Sequence, residues 1–491
     1  MLRRIVLLQP HEYLGDAWKQ RMFAPAGLGL AQAFKVRGQE FVEGNPPVPA
    51  FRRLSTGNEK AAAPIGVPLK PALVPADSYA VVAMFDDQEA IDRFRRDKGA
   101  EVKGVFADPK IEATPGYCQH GAIGDTTDVA RLLGLAPLQK RKLNGKGVRI
   151  AVVDTGIDGS HSAPDGSSLK TRIDRTRGFP RGYKPGSSAR DHGTMVAYDA
   201  SIAAPKATLL DYALLRSTAG SWEGFLSDAI AAFGELIDLL QRKPGPLVVN
   251  NSWALFDRSD DAAVGTPENY SANANHPFNQ IVAALVTSGA DVVFAAGNCG
   301  RDCPDGRCGV NDIGPGASIH GANSHPAVIT VAAVTTKGER LGYSSQGPGD
   351  LADKKPDIAA YSHFRGSGVF AADGGTSAAA PVLSGVVALL RQHFPSQSAA
   401  QMKGLVQSTT AALSNGWNYD TGYGLVTTKA ISLSPTAPTQ PSKKKSKKPT
   451  SAAAWMLVPT PSEDPVLVKG GRKRAAKKKS KSKKATRSRK S

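Results

Sequence analysis

Nothing in this 491-residue chain approaches the roughly 18 unbroken apolar residues that a membrane helix needs, so no membrane span is expected. Cysteine is scarce. Four in a chain of this length cannot make a disulfide scaffold. Three cluster as Cys299, Cys303 and Cys308, while Cys118 stands far upstream. No suitably spaced histidine completes the trio as a structural zinc site, which leaves one local disulfide or three reduced thiols. Acidic residues are nearly missing from the C-terminal end. Over 435–491, 18 Lys/Arg face only Glu463 and Asp464, so almost all of the net +19 sits there and the body before it implies no particular partner. The N-terminus starts basic, but its apolar run, Ile5-Val6-Leu7-Leu8, is too short for the core of a secretory signal. Cytoplasmic residence is therefore expected.

What is present suits a soluble α/β protein: 41% hydrophobic residues and 50 glycines for tight turns. The length exceeds one compact unit, so a core with attached segments is expected. Residues 1–75 are rich in Pro, Gly and Ala without sustained periodicity and read as a poorly structured leader. A small β-α-β unit follows within 76–116: a strand over Tyr79 to Phe85, a helix over Gln88 to Arg96 and a strand near Val102 to Phe106. From 117 to 434, short β-branched runs alternate with amphipathic segments. Strands are predicted at Val148 to Val153, Thr208 to Leu214, Leu247 to Asn250, Val292 to Ala295 and Val328 to Val334, with helices over Trp222 to Arg242 and Phe278 to Thr287. Buried runs separated by helices argue for a parallel sheet covered on both faces. Lysine blocks make 435–491 a disordered basic tail.

Three segments carry chemistry. Ile150-Ala151-Val152-Val153-Asp154-Thr155-Gly156 is an apolar strand ending on a carboxylate, and open α/β sheets gather functional groups at strand carboxyl ends. Taken alone, Asp154 reads equally well as a turn or capping residue. Asp191-His192-Gly193-Thr194 offers an imidazole beside a glycine that permits close approach. Gly374-Gly375-Thr376-Ser377-Ala378-Ala379-Ala380-Pro381 leads into an apolar helix over Val382 to Leu390, with Pro381 in the first turn and Ser377 at the positive end of the dipole. An isolated Gly-Thr-Ser is more simply a helix cap, but that reading leaves the other two segments unexplained. A hydroxyl nucleophile needs a base, a group orienting the base, and donors for the developing oxyanion.

In this order, Asp-Thr-Gly, His-Gly-Thr and Gly-Thr-Ser-x-Ala-Ala-Pro resemble the subtilisin (subtilase) family over about 290 residues. The resemblance implies a three-layer α/β fold with a mostly parallel sheet flanked by helices, preceded by a small α+β propeptide-like unit. It implies a serine endopeptidase working through an acyl-enzyme: Asp154 orients His192, His192 is base and then acid, and Ser377 attacks. Asn298, in Ala295-Ala296-Gly297-Asn298, would supply the oxyanion donor together with the Ser377 amide. Ser252, Trp253 and Ala254 resemble the strand that pairs with extended substrate, with Ala296 and Gly297 also bordering it.

The unit from Tyr79 to Thr114 resembles the family's inhibitory propeptide, which predicts a self-made cut between about 112 and 145. Calcium is common in the family, yet no ligand loop matches here, so no metal residue is assigned. The departures are Tyr198 and Ala254, where the family usually has glycine, and Cys299 directly after Asn298. A methyl at Ala254 would narrow the cleft. Oxidation of Cys299, or a bridge from it to Cys303 or Cys308, would tune the asparagine loop. The implied partner is a polypeptide substrate, met by a monomer. The competing reading is a catalytically silent binding module tethered by its basic tail to nucleic acid or an acidic partner, through phosphate contacts without base reading.

Overall fold

The strand Arg149–Asp154 is apolar at nearly every position, and the structure explains why: its side chains alternate between two cores. Ile150 and Val152 face one core, Ala151 and Val153 the other. The computed structural model describes residues 1–8, 39–41, 48–49, 79–116, 121–218 and 221–433. The remainder of the expected leader, Cys118 and the basic tail lie outside these residues.

Numbered in chain order, the strands that matter here are β1 (Leu2–Leu8), β2 (Tyr79–Phe85), β3 (Val102–Ala107), β4 (Lys110–Ala113), β5 (Arg149–Asp154), β6 (Ile173–Phe179), β7 (Thr208–Ala213), β8 (Ser221–Phe225), β9 (Leu247–Asn251), β10 (Trp253–Ala254), β11 (Asp291–Ala295), β12 (Ile329–Val334) and β13 (Ile358–Tyr361). The helices are α1 (Gln88–Lys98), α2 (His192–Ala203), α3 (Leu226–Arg242), α4 (Pro277–Thr287) and α5 (Gly375–His393).

Seven strands form one parallel sheet in the order β13-β12-β11-β9-β5-β7-β6. Met195, Val196, Val382 and Val386 of α2 and α5 build the core on one face. Phe233, Leu236, Ile281 and Leu285 of α3 and α4 build it on the other. This is the expected three-layer arrangement. The helices α2 and α5 cross tightly at Gly385, where a Cβ would come within 2.5 Å of the Ala200 carbonyl oxygen.

Two expectations need correction. The first residues are not leader: β1 lies between β2 and β3, antiparallel to both, and its Ile5, Val6 and Leu8 are buried. The β-α-β unit therefore lacks its middle strand unless the chain's first eight residues are counted with it. The predicted helix start at Trp222 is also displaced, because residues 221–225 form β8 and the helix begins at Leu226.

A third sheet joins the two parts. Its order is Arg216–Thr218, β8, β4, β10, all antiparallel. The segment after the small unit thus lies as a strand between two strands of the larger one.

Candidate active site

Asp154 ends β5 and is fully buried. Its Oδ1 accepts from the Thr155 amide at 2.8 Å and meets His192 Nδ1 at 2.8 Å. His192 opens α2, where Asp191 caps the helix by accepting from the His192 amide at 2.8 Å. The other Asp191 oxygen accepts from Trp222 Nε1 at 2.8 Å. That bond brings the indole beside the imidazole, at 6.0 Å between centroids, and Phe370 flanks the same ring at 6.5 Å. His192 Nε2 has no hydrogen-bond partner among the described residues.

Ser377 is the third residue of α5, which starts at Gly375 rather than at the expected Val382. Pro381 is consequently in the helix interior rather than its first turn. A proline there has no N–H for the carbonyl four residues back, which is that of Ser377. The vacancy is filled by Ser252, whose hydroxyl donates to the Ser377 carbonyl at 3.0 Å. The helix's leading amides are satisfied from outside: Gly375 N donates to Tyr343 Oη at 2.9 Å, and Thr376 N to Asn298 Oδ1 at 3.0 Å.

That last bond also sets the asparagine. With Oδ1 accepting from Thr376 N and from Thr376 Oγ1 at 2.9 Å, Nδ2 is turned to the cleft. There it donates to the Thr114 carbonyl at 2.7 Å and the Pro115 carbonyl at 2.8 Å. Gly375 is required beside it, since its φ is +75° and a Cβ would fall 1.9 Å from the Thr114 oxygen.

The cleft is thus filled by the chain itself. β4 pairs with β8 at Glu112, Ile111 and Lys110, and with β10 through Ala113 opposite Trp253 and Glu112 opposite Ala254. Thr114 continues the strand, its amide donating to the Ser252 carbonyl at 3.1 Å. Ser377 Oγ faces the same residue, 3.1 Å from Thr114 N and 2.6 Å from Thr114 Oγ1, and it donates to the Ser252 carbonyl at 3.1 Å.

The structure therefore sets Ser377, Asn298, Ser252, Trp253 and Ala254 against the 112–114 segment, and it pairs Asp154 with His192 at the start of α2, which packs on α5. Trp253 contributes backbone there, while its indole is buried in the core and donates to the Val153 carbonyl at 3.1 Å. Ala296 and Gly297 stand behind the asparagine: Ala296 N donates to the Val331 carbonyl and Gly297 N to Thr376 Oγ1.

Of the two sulfur alternatives at the asparagine loop, the structure contains a Cys299–Cys308 disulfide. Among the described residues no group of three or more His, Cys, Asp or Glu could hold a metal ion. Sequence reasoning missed Trp222, on β8, and Phe370 and Arg307, on loops; none of the three belongs to a motif.

The Subtilase family model matches residues 145–424. Subtilisin E of Bacillus subtilis (strain 168) is 28% identical over 301 residues, covering 60% of this chain and 68% of that protein. Fervidolysin of Fervidobacterium pennivorans is 26% identical over 351 residues, covering 63% of this chain and 44% of fervidolysin. The crystal structure of fervidolysin, described as a keratinolytic enzyme related to subtilisin, superposes with a TM-score of 0.56 at 18% identity. That likeness covers 89% of this chain, which spans 61% of the solved fervidolysin chain. With more than half of its residues matched by the family model, the chain belongs to the subtilase family of serine-type peptidases.

Proposed function

We propose that this chain is a serine endopeptidase in which Ser377, His192 and Asp154 act as nucleophile, base and orienting carboxylate, and that it is made latent by its own residues 110–114. The observation that carries the reading is the Thr114 carbonyl on Asn298 Nδ2, at 2.7 Å, next to the Ser377 hydroxyl. A carbonyl so placed occupies the position where negative charge develops during attack.

In this reading Ser377 Oγ adds to the substrate carbonyl carbon as its proton passes to His192 Nε2. Asp154 holds the imidazole through Nδ1, and Asn298 holds the oxyanion. Collapse expels the amine, protonated by His192, and water then releases the acyl group by the same steps in reverse. The hydroxyl now engages Thr114 and the Ser252 carbonyl, so it must turn toward Nε2 before it can react.

Self-processing at the Thr114–Pro115 bond follows from the same placement and falls within the expected 112–145 window. The substrate is an extended polypeptide that replaces β4 between β8 and β10. The Cys299–Cys308 bridge favours an oxidising compartment over the cytoplasm.

The test is hydrolysis of an unfolded polypeptide by the purified chain, before and after a trace of outside protease removes the segment. Ser377→Ala and His192→Ala are expected to lower turnover at least about a thousandfold. Equal turnover by Ser377→Ala would refute the assignment.

A further inference from the structure

Arg307 is not part of any sequence motif, yet it reaches the segment in the cleft. Its Nη1 donates to the Ala113 carbonyl at 3.0 Å and lies 3.6 Å from a Glu112 carboxylate oxygen. We propose that Arg307 is a specificity-determining residue: it holds the carbonyl of the second residue before the cleaved bond and, together with Glu223, selects substrates that are basic at the fifth residue and acidic at the third. The inference rests on the reading that Ser377 attacks the bond after Thr114, which makes Ala113, Glu112 and Lys110 the second, third and fifth residues.

The guanidinium is held ready for this task. Asp305 takes it in a fork, accepting from Nε and Nη2 at 2.9 Å each. Its plane lies over the Phe256 ring, 3.9 Å from the centroid. The carrying loop is closed by the Cys299–Cys308 bridge and tied to the oxyanion residue, because the Asp305 amide donates to the Asn298 carbonyl at 2.9 Å. One donor, Nη1, is thereby aimed at the strand with the other two nitrogens already engaged. A fixed donor loses little side-chain entropy on meeting substrate.

Charge on the opposite wall completes the pattern. Glu223, directly across from Glu112 on β8, places a carboxylate 3.7 Å from Lys110 Nζ. Glu223 disfavours an acidic third residue taken alone, and Asp305 offsets part of the Arg307 charge. The net charge of the cleft therefore does not decide the preference. The order of charges along the substrate does. Lys110 also lies 3.3 Å from Glu112 within the segment, so a basic fifth residue screens the acidic third from Glu223.

The decisive comparison uses two peptides of equal composition and net charge, Lys-Ile-Glu-Ala-Thr and Glu-Ile-Lys-Ala-Thr, each carrying a fluorogenic leaving group. The segment-freed wild type is expected to cleave the first with kcat/KM about tenfold higher, as two partly exposed pairs change sign together. Arg307→Ala is expected to lower kcat/KM for the first peptide at least tenfold through the lost charge-assisted bond, and to shrink the ratio. Glu223→Lys combined with Arg307→Glu is expected to reverse the preference, which a variant that merely folds poorly would not do. Equal rates on the two peptides in wild type, or an unchanged ratio in the paired reversal, would overturn the inference while leaving the peptidase reading intact.

Should neither peptide nor an unfolded polypeptide be turned over, the peptidase reading fails, and the contact itself is tested in the Ser377→Ala chain. There Glu112→Gln, Arg307→Gln and the double variant are expected to lower Tm non-additively. Additive shifts would remove the contact and the proposal with it.

Discussion

The Ser252 hydroxyl donates to the carbonyl of Ser377, the one carbonyl in α5 that Pro381 leaves without its helical partner. The residue between β9 and β10 thus completes the helix that carries the candidate nucleophile. Asn250 Nδ2 in turn donates to Ser252 Oγ at 2.9 Å, and Ser384 Oγ of the same helix donates to Asn250 Oδ1 at 2.9 Å, which closes the circuit. Ser252→Ala keeps the backbone carbonyl that meets Thr114 but strands two buried polar groups. It is expected to cost about 1–3 kcal/mol, read as a lowered midpoint in urea unfolding.

Asn298→Ala removes the donor on the Thr114 carbonyl and also the acceptor of Thr376. On segment-freed enzyme kcat is expected to fall about 100–1000-fold with KM little changed, because the bond strengthens as charge develops. A matching rise in KM with kcat unchanged would instead make Asn298 a simple binding residue.

Acid is expected to weaken the anchorage of the small unit at Ala107. His276 is buried, which drives its pKa down to about 4, while its Nε2 meets the Ala107 carbonyl at 2.9 Å and its Nδ1 accepts from Phe278 N at 3.2 Å. The unfolded histidine titrates near an ordinary value of about 6.5. Between the two values the unfolded chain holds more protons, so this contribution is complete above about pH 6.5 and is lost as pH falls toward 4, with a span of about 3 kcal/mol. His276→Gln is expected to flatten that limb in a Tm–pH series.

Rising pH is expected to weaken the contact between Asp199 of α2 and Asp373, two residues before α5. Asp199 of α2 is fully buried, and burial followed by the neighbouring Asp373 carboxylate holds its pKa well above the usual range. Burial raises Asp373 as well, although Ser367 donates to it through both N and Oγ. The folded state therefore keeps protons that the unfolded chain releases above about pH 4, and stability declines as pH rises through the folded values. Asp199→Asn is expected to match wild type near pH 4 and to exceed it at pH 8, read as a higher midpoint in urea unfolding.

How far the sequence speaks depends on the kind of residue. The parallel sheet was legible because β5, β9, β11 and β12 are buried on both faces and read as short apolar runs rich in Val and Ile. Asp154, His192, Ser377 and Asn298 were found through family motifs, since physical reading alone left Asp154 as a turn residue and Ser377 as a cap. β1 was missed because its four-residue apolar run was weighed against a signal peptide, while its partners lie 70 to 100 residues away. The start of α5 was misplaced because Gly375 and Thr376 have little helical propensity. Gly375 enters with φ +75°, and the amides of Gly375 and Thr376 are held by Tyr343 and Asn298. Arg307 and Asp199 had no signal at all, because each matters only through what the fold sets against it.

The most direct measurement is fluorophosphonate labelling of the purified chain and of Ser377→Ala, with intact mass followed in both. The expected result is labelling that depends on Ser377 and grows as wild type loses the segment ending at Thr114, while Ser377→Ala stays unlabelled at its full 51.5 kDa. Wild type that folds, sheds the segment after a trace of outside protease and still takes no label would contradict the account, as would Ser377→Ala that labels or cuts itself at the wild-type rate.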